Sequence, residues 1–217
     1  MQYLTEEIIR TFMENGAALG RRNLIAGSAG NMSIRFPNSD VIAITTRGSD
    51  LTMLKGSDVV AVDAGEASVE GTGRPSSELL MHRTIYAGRP DVSAIIHTHS
   101  IFATVMASLQ ENIPAFIDEM TFVLGGEIET AAYARPGSEE LGRNAVKALG
   151  DRAAVLLANH GAIGVGSTLS EALEACDLVE RAAQMYVFAR ALGSPKLIPS
   201  DVMMRQYSAY RKKHALE

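Results

Sequence analysis

The chain has 217 residues, of which 47% are hydrophobic and 21% charged, and this usage is typical of a folded globular domain. Its 20 basic and 25 acidic residues leave a net charge of −5 at pH 7, which argues against nucleic acid as a partner. No run approaches the ~18 consecutive apolar residues of a membrane span, and residues 1–7 lack the basic and apolar regions of a signal peptide. We therefore expect one cytoplasmic domain over residues 1–217, with no membrane partner. Cys176 is the only cysteine, so no internal disulfide can form.

Hydrophobic periodicity predicts an alternation of helices and strands along the chain. Helices are predicted over residues 5–20, 76–87, 101–109 and 137–149, and from Ser167 or Ser170 to Leu192. Strands are predicted over residues 32–36, 41–46, 59–62, 67–70, 94–96 and 154–158. Thr5, Ser76 and Ser138 are the expected helix N-caps. The tail beyond Pro195 is polar and aromatic, and no element is assigned to it.

Three histidines follow two of the predicted strands. If the strand over 94–96 continues, alternation places His97 and His99 on the same face. His160 follows the strand over 154–158 in a comparable position. A catalytic zinc ion typically takes three protein ligands and keeps a further position open, so the three imidazoles together predict a metal site. The alternative is that each histidine is a hydrogen-bonded residue of the sheet.

Two segments have the features of an anion-binding site. The strand over 41–46 ends in Thr46, Arg47 and Gly48, where a guanidinium and an unobstructed amide could meet a phosphate, or where the chain simply makes a solvated turn. Ser76 and Ser77 lie at a predicted helix N-terminus, which either receives a phosphate or is an ordinary cap.

Three carboxylates are candidates for proton transfer. Glu78 lies four residues before His82, so the two share a helix face, and we favour a structural role for His82. Asp118 and Glu119 lie among apolar residues of the segment 116–124. They are either acid and base groups or an exposed loop pair.

Five short motifs, taken in order, resemble the class II aldolase family of the L-fuculose-1-phosphate aldolase and L-ribulose-5-phosphate 4-epimerase type. The motifs are Ala29-Gly30-Asn31-Met32-Ser33, Thr45-Thr46-Arg47-Gly48, Pro75-Ser76-Ser77-Glu78, His97-Thr98-His99 and Asn159-His160-Gly161. The resemblance runs from about residue 5 to 193, and the combination is more specific than any one motif.

The resemblance implies an α/β fold, namely a three-layer α/β/α domain with a largely antiparallel central sheet. It also implies a homotetramer with active sites at the subunit interfaces. His97, His99 and His160 would hold a divalent metal, usually Zn2+, with Mn2+ or Co2+ as alternatives, and Glu78 would be the acid/base beside it. Among the substrate-binding positions, Asn31, Gly48, Ser76 and Ser77 match those that hold the substrate phosphate, and Thr46 and Arg47 precede Gly48.

The implied function is a metal-dependent aldolase that cleaves a ketose phosphate to dihydroxyacetone phosphate and an aldehyde through a metal-stabilised enediolate. A neighbouring subunit would supply the proton donor, for which this chain offers Asp118 and Glu119, with Tyr210 matching a C-terminal tyrosine of the aldolase. Arg47 stands where the aldolase has a small hydroxyl residue. The alternatives are a decarboxylase of a phosphorylated keto acid, a ribulose-phosphate 4-epimerase and a non-enzymatic metal-bound scaffold.

Overall fold

One mixed sheet organises the computed structural model, which describes residues 2–65 and 67–216. The strands within these residues are β1 (Asn31–Arg35), β2 (Ile42–Thr45), β3 (Val59–Val62), β4 (Ser68–Glu70), β5 (Ala94–Thr98), β6 (Thr130–Ala131), β7 (Ala154–Leu157) and β8 (Gly161–Gly166). They pair in the order β4-β3-β2-β1-β5-β8-β7-β6, and every pair is antiparallel except the parallel pair of β6 and β7. The expected largely antiparallel central sheet is confirmed.

Six helices lie within the described residues, and five of them cover the two faces of this sheet. They are α1 (Glu6–Arg21), α2 (Leu79–Gly88), α3 (Ile101–Leu109), α4 (Glu139–Leu149), α5 (Leu169–Leu192) and α6 (Ser200–Lys213). Helices α2 and α4 bury their apolar side chains against one face, and α1, α3 and α5 bury theirs against the other. The three-layer α/β/α arrangement is therefore confirmed. None of these helices combines the length and hydrophobicity needed to cross a membrane.

The centre of the sheet brings together segments that are far apart in sequence. Strand β5 lies between β1 and β8, so that Asn31 is the cross-strand partner of His97, and His97 is in turn the partner of Ile163. Cross-strand partners project to the same face of a sheet. Asn31 and His97 therefore face the layer that contains α2.

Helix α5 packs on β8 with almost no space between them. A Cβ atom added to Gly164 would lie 2.5 Å from the carbonyl oxygen of Ala172 and 2.7 Å from Sγ of Cys176. The small residues of β8 thus permit close contact between backbone and helix. Because of these small residues, β8 lacks the alternating side chains that identify a strand, and it was therefore not predicted from the sequence.

The second helix starts later than the sequence indicates. The prediction of Ser76 as its N-cap is wrong, because the backbone N–H of Ser76 donates to the carbonyl of Thr45 at 3.0 Å, next to the bridge between Thr46 and Pro75. Helix α2 therefore begins at Leu79, and Glu78 occupies the N-cap position. By contrast, Thr5 and Ser138 cap α1 and α4 as predicted.

Candidate active site and metal centre

The three predicted ligand histidines converge at one end of the central strands. His97 lies near the end of β5, His99 follows that strand, and His160 lies in the turn between β7 and β8. Their ring centroids are 4.7 to 4.9 Å apart, and Nε2 of His97 lies 2.9 Å from Nε2 of His99. One nitrogen from each ring lies within 4.8 Å of the other two, so the group could hold one metal ion.

The turn that carries His160 has a backbone suited to this position. Asn159 adopts a positive φ of 56°, a conformation that asparagine tolerates better than most residues. A Cβ atom on Gly161 would lie 2.3 Å from the carbonyl of Thr98 and within 3.3 Å of both the His97 and His99 rings. Only glycine lets the turn approach β5 closely enough for His160 to join the other two histidines.

Hydrogen bonding fixes the tautomer of His97. Its Nδ1 donates to the carbonyl of Ala162 at 2.9 Å, which leaves the lone pair on Nε2 directed into the cluster. Burial lowers the pKa of His97 to about 3, against an opposing effect of Glu78. Burial also lowers the pKa of His99, with His160 adding to the effect. Neutral imidazoles with converging lone pairs are the form in which histidine binds metal.

The carboxylate of Glu78 completes the cluster. It is buried, with Oε2 3.2 Å from Nε2 of His97 and Oε1 3.3 Å from Nε2 of His160. Burial raises the pKa of Glu78, but His97, a hydrogen bond from Asn31 and His160 together outweigh it, so the pKa lies below its ordinary value. Oε1 is buried and has no hydrogen-bond partner in the described part of the chain. Three converging imidazole nitrogens with a carboxylate beside them fit a divalent ion of the zinc type.

A chain of buried polar side chains extends from Glu78 toward the sheet. Nδ2 of Asn31 donates to Oε2 of Glu78 at 2.9 Å, and Oδ1 of Asn31 contacts Nε2 of His82 at 2.5 Å. Oγ of Ser33 lies 2.6 Å from Nδ1 of His82 and 2.7 Å from the hydroxyl of Tyr86. The side chain of Asn31, a predicted phosphate ligand, is thus engaged with Glu78 and His82.

Ser33 and Tyr86 were not identified from the sequence, although a signal was present. Glu78, His82 and Tyr86 are spaced four apart, so they form a polar stripe on one face of a helix that is otherwise largely apolar. Asn31 and Ser33 alternate on β1 and therefore share a face. Polar residues that repeat along one face of a helix and along one face of a strand indicate a buried polar network between the two elements.

The predicted anion-binding segments lie next to each other and immediately before Glu78. Thr46 pairs with Pro75 in an isolated bridge, and the N–H of Arg47 donates to the carbonyl of Arg74 at 2.9 Å. Oγ of Thr46 contacts Oγ of Ser49, and Oγ of Ser76 accepts from the N–H of Glu78. Ser77, Arg47 and Gly48 are exposed, and Gly48 has a positive φ with open space around its Cα.

The predicted proton donors lie elsewhere in the chain. Asp118 and Glu119 are exposed and precede a single π-helical turn (Met120–Leu124), and Asp118 accepts from Gln206 of α6. Tyr210 is buried against Gly125, and its hydroxyl donates to the carbonyl of Asp151 at 3.3 Å. Burial raises the pKa of Tyr210 to about 12. Among the described residues, none of the three is hydrogen-bonded or ion-paired to the histidines or Glu78.

The fold and these motifs identify the family. Residues 10–187 match the class II aldolase and adducin N-terminal domain, and the chain belongs to this family. It is similar to the 5-methylthioribulose-1-phosphate/5-deoxyribulose-1-phosphate aldolase of Rhodospirillum rubrum, with 39% identity over 85% of this chain and 82% of that protein. It is also 34% identical to the L-fuculose phosphate aldolase of Escherichia coli K12 over 95% of each chain.

A solved structure agrees with this result. The structure of an L-fuculose 1-phosphate aldolase superposes with a TM-score of 0.90 at 36% identity, over 95% of this chain and 97% of that one. The resemblance stated from the sequence motifs is confirmed, together with the class II aldolase fold.

We predict that loss of His97 abolishes stoichiometric metal binding. Replacing His97 by alanine removes the ring whose tautomer is fixed toward the cluster, and the two remaining histidines offer too few ligands for a catalytic zinc site. Elemental analysis of purified His97→Ala should show loss of bound zinc. His214→Ala is the matched control, since His214 lies at the end of α6 outside the cluster and its loss should leave metal content unchanged. Full metal retention in His97→Ala would disprove the assignment.

Proposed function

We propose that the protein is a metal-dependent aldolase that cleaves a ketose 1-phosphate to dihydroxyacetone phosphate and an aldehyde. The observation that carries this proposal is the buried Glu78 carboxylate, which lies within 3.3 Å of two imidazole nitrogens of the histidine cluster. A metal site alone needs no such group. A carboxylate held beside a metal position is what proton transfer to and from a carbon acid requires.

His97, His99 and His160 would hold the divalent ion, with zinc as the proposed metal and Mn2+ or Co2+ as alternatives. When bound, such an ion supplies Lewis acidity that stabilises negative charge on the substrate's carbonyl and hydroxyl oxygens. Imidazole binds a metal ion in its neutral form, so the three histidines would hold the ion without adding charge to the site.

The substrate phosphate is proposed to bind where segments 46–48 and 75–77 meet. Ser77, Gly48 and Arg47 are exposed there, Thr46 and Ser76 lie beside them, and the N-terminus of α2 adds the favourable end of a helix dipole. Asn31 is proposed to line the same substrate site while it holds Glu78. Because Glu78 occupies the N-cap of α2, a phosphate bound at this point would place the adjoining carbons close to the carboxylate.

Glu78 is proposed as the acid/base at C3 of the substrate. In the cleavage direction the C4 hydroxyl loses its proton to a base, the C3–C4 bond breaks, and the electron pair moves onto the C2 carbonyl oxygen as the aldehyde leaves. Glu78, which takes up a proton from water in this direction, then donates it to C3, which yields dihydroxyacetone phosphate and restores the carboxylate. In the addition direction the carboxylate removes that same proton, so one group serves both directions.

The base at the C4 hydroxyl is proposed to come from a neighbouring subunit of a homotetramer. Asp118 and Glu119 are exposed and thus available to a neighbour, whereas Tyr210 is the weakest of the three proposals because its hydroxyl is buried against Asp151. Support for an interface beside the site comes from α3, which begins two residues after His99. Ile101, Val105 and Leu109 form an exposed apolar stripe on this helix, with 67%, 40% and 53% of their surfaces accessible.

The first prediction from this proposal concerns substrate class. The names of the relatives specify ketose 1-phosphates with different tails, so we expect turnover of a panel containing L-fuculose 1-phosphate, 5-deoxyribulose 1-phosphate and 5-methylthioribulose 1-phosphate. Dihydroxyacetone phosphate release should be abolished by a chelator and restored by added zinc. Carbon dioxide release from phosphorylated keto acids would indicate the decarboxylase instead. Interconversion of ribulose and xylulose phosphates without cleavage would indicate the epimerase.

The second prediction tests Glu78. Glu78→Gln keeps the size of the side chain but removes its basicity, so kcat should fall by about 10²-fold or more while metal content and binding of a dihydroxyacetone phosphate analogue persist. Glu129→Gln is the matched control, because Glu129 pairs with Arg152 away from the histidines. Near-normal turnover of Glu78→Gln would remove this residue from the mechanism.

The third prediction tests assembly. The wild-type chain should scatter light as a tetramer, and the double substitution of Ile101→Asp with Val105→Asp should break the assembly and lower activity by placing charges in the apolar stripe. Met53→Asp changes another exposed apolar residue in a short helical turn far along the chain from α3 and should leave the tetramer intact. A monomeric wild type at working concentration would contradict the proposal.

A further inference from the structure

We propose that Tyr86, Ser33, His82 and Asn31 form a one-directional chain of hydrogen-bond donors that ends on Oε2 of Glu78. The chain fixes the orientation of the carboxylate and leaves Oε1 as the oxygen that accepts the substrate proton. The four residues are positioning residues, and among their side chains only that of Asn31 contacts the Glu78 carboxylate. This inference rests on the proposed function of Glu78 as the acid/base.

The direction of the chain follows from its end at Glu78. The amide nitrogen of Asn31 donates to Oε2 of Glu78 at 2.9 Å, and an amide NH2 group can only donate. This orientation turns Oδ1 of Asn31 toward His82. Because Oδ1 is an acceptor, Nε2 of His82 must carry the proton in the 2.5 Å contact between them.

The remaining bonds follow from the charge state of His82. Burial lowers the pKa of His82 to about 4, although Glu78 opposes the shift, so the imidazole is neutral at pH 7. A neutral imidazole with a protonated Nε2 has its lone pair on Nδ1. The Ser33 hydroxyl therefore donates to His82 and accepts from the Tyr86 hydroxyl. Burial raises the pKa of Tyr86, which keeps its hydroxyl protonated as the first donor.

The chain is sealed from solvent and anchored at its far end. All five side chains are buried, including Ser33 and His82 at 0% exposure. The guanidinium of Arg35 lies over the Tyr86 ring at 5.2 Å and donates to the Tyr86 backbone carbonyl at 2.9 Å. Without competing water, each bond polarises the next, and such chains strengthen by roughly 10–30% per bond.

The two oxygens of Glu78 therefore differ in chemical role. Oε2 accepts from Asn31, whereas the buried Oε1 has no hydrogen-bond donor among the residues that the structure describes. The less solvated oxygen is the better proton acceptor, and the bond to Oε2 holds the carboxyl group in one orientation in both protonation states. The spacing of four residues from Glu78 at the N-cap to His82 and on to Tyr86 places the three side chains on one face of α2.

The direction of the chain can be tested without any assay of turnover. Two-dimensional 1H–15N spectra of the 15N-labelled protein report histidine tautomers, and His82 can be assigned by its absence in His82→Gln. We expect Nε2 of His82 protonated and Nδ1 unprotonated, with the Nδ1 resonance shifted in Ser33→Ala. The opposite tautomer would require Asn31 to turn its oxygen toward Glu78 and would overturn the proposal.

The effect on Glu78 can be isolated by the half-reaction with dihydroxyacetone phosphate. Exchange of its C3 proton with deuterated water, followed by NMR, needs the base and the metal but no aldehyde. Tyr86→Phe and Ser33→Ala should each lower the exchange rate by about two- to fivefold, with zinc content and KM unchanged. The double variant should match Ser33→Ala, because removing Ser33 already disconnects Tyr86. Tyr186→Phe, on α5, is the matched control and should exchange at the wild-type rate.

Rescue separates positioning from packing at His82. In His82→Leu the donor to Asn31 is lost and exchange should fall by about tenfold or more, whereas the amide of His82→Gln can still donate to Asn31 and should restore most of the rate. If His82→Leu does not fold, the exchange rates of Tyr86→Phe and Ser33→Ala test the proposal instead. Additive effects of these two substitutions, or wild-type exchange in both variants, would overturn the proposed hydrogen-bond chain. No exchange by the wild-type protein would instead overturn the proposed function, and the tautomer measurement would still stand.

Discussion

The burial of an ionised carboxylate is the constraint on which the rest of the site depends. Transferring a lone carboxylate into a protein interior costs several kcal/mol unless charges or hydrogen bonds compensate. Glu78 has such compensation from the Asn31 amide and from the N-terminus of α2. Each compensating group comes from a different element, so the position of the carboxylate depends on the packing of the whole central region.

Strand order is what assembles these groups. Asn31 and His97 belong to segments more than sixty residues apart, and they meet because β1 and β5 pair in one register. A shift of β1 by one residue would turn the Asn31 side chain to the face of the sheet opposite His97. Gly161 then allows the turn before β8 to approach β5 closely enough to bring in His160, and Gly164 allows α5 to pack directly on β8. Packing of the core and placement of the ligands are therefore a single requirement.

Local patterns predicted the parts of the molecule that local interactions determine. Alternation along β5 placed His97 and His99 on one face, and side-chain oxygens identified Thr5 and Ser138 as caps. Ser76 was assigned wrongly because its backbone is held by Thr45, a partner 31 positions earlier that no local pattern reports. The glycine-rich β8 and the short β6 lack alternating side chains, and the polar α6 was not recognised in the tail.

The site residues also divide into those that a local pattern predicts and those that depend on contacts between distant segments. The histidine cluster was predictable because two ligands lie two positions apart and the third follows another apolar strand. The chain from Tyr86 to Glu78 joins residues 47 to 53 positions apart in sequence, so only the periods of its two elements indicated it. In this case matching polar periods on α2 and β1 would have been a better guide than any single motif.

The distribution of exposed and buried groups fits the chemistry of the proposed substrates. Ketose 1-phosphates with different tails share the three carbons that become dihydroxyacetone phosphate and differ in the aldehyde that leaves. The groups proposed to act on the shared carbons, namely the histidines and Glu78, are held by the sheet and α2 within one chain. The groups proposed to act on the aldehyde, Asp118 and Glu119, lie on the surface. The buried part of the active site can be optimised for the reaction that all these substrates share. The exposed loops can vary with the substrate tail without disturbing the core.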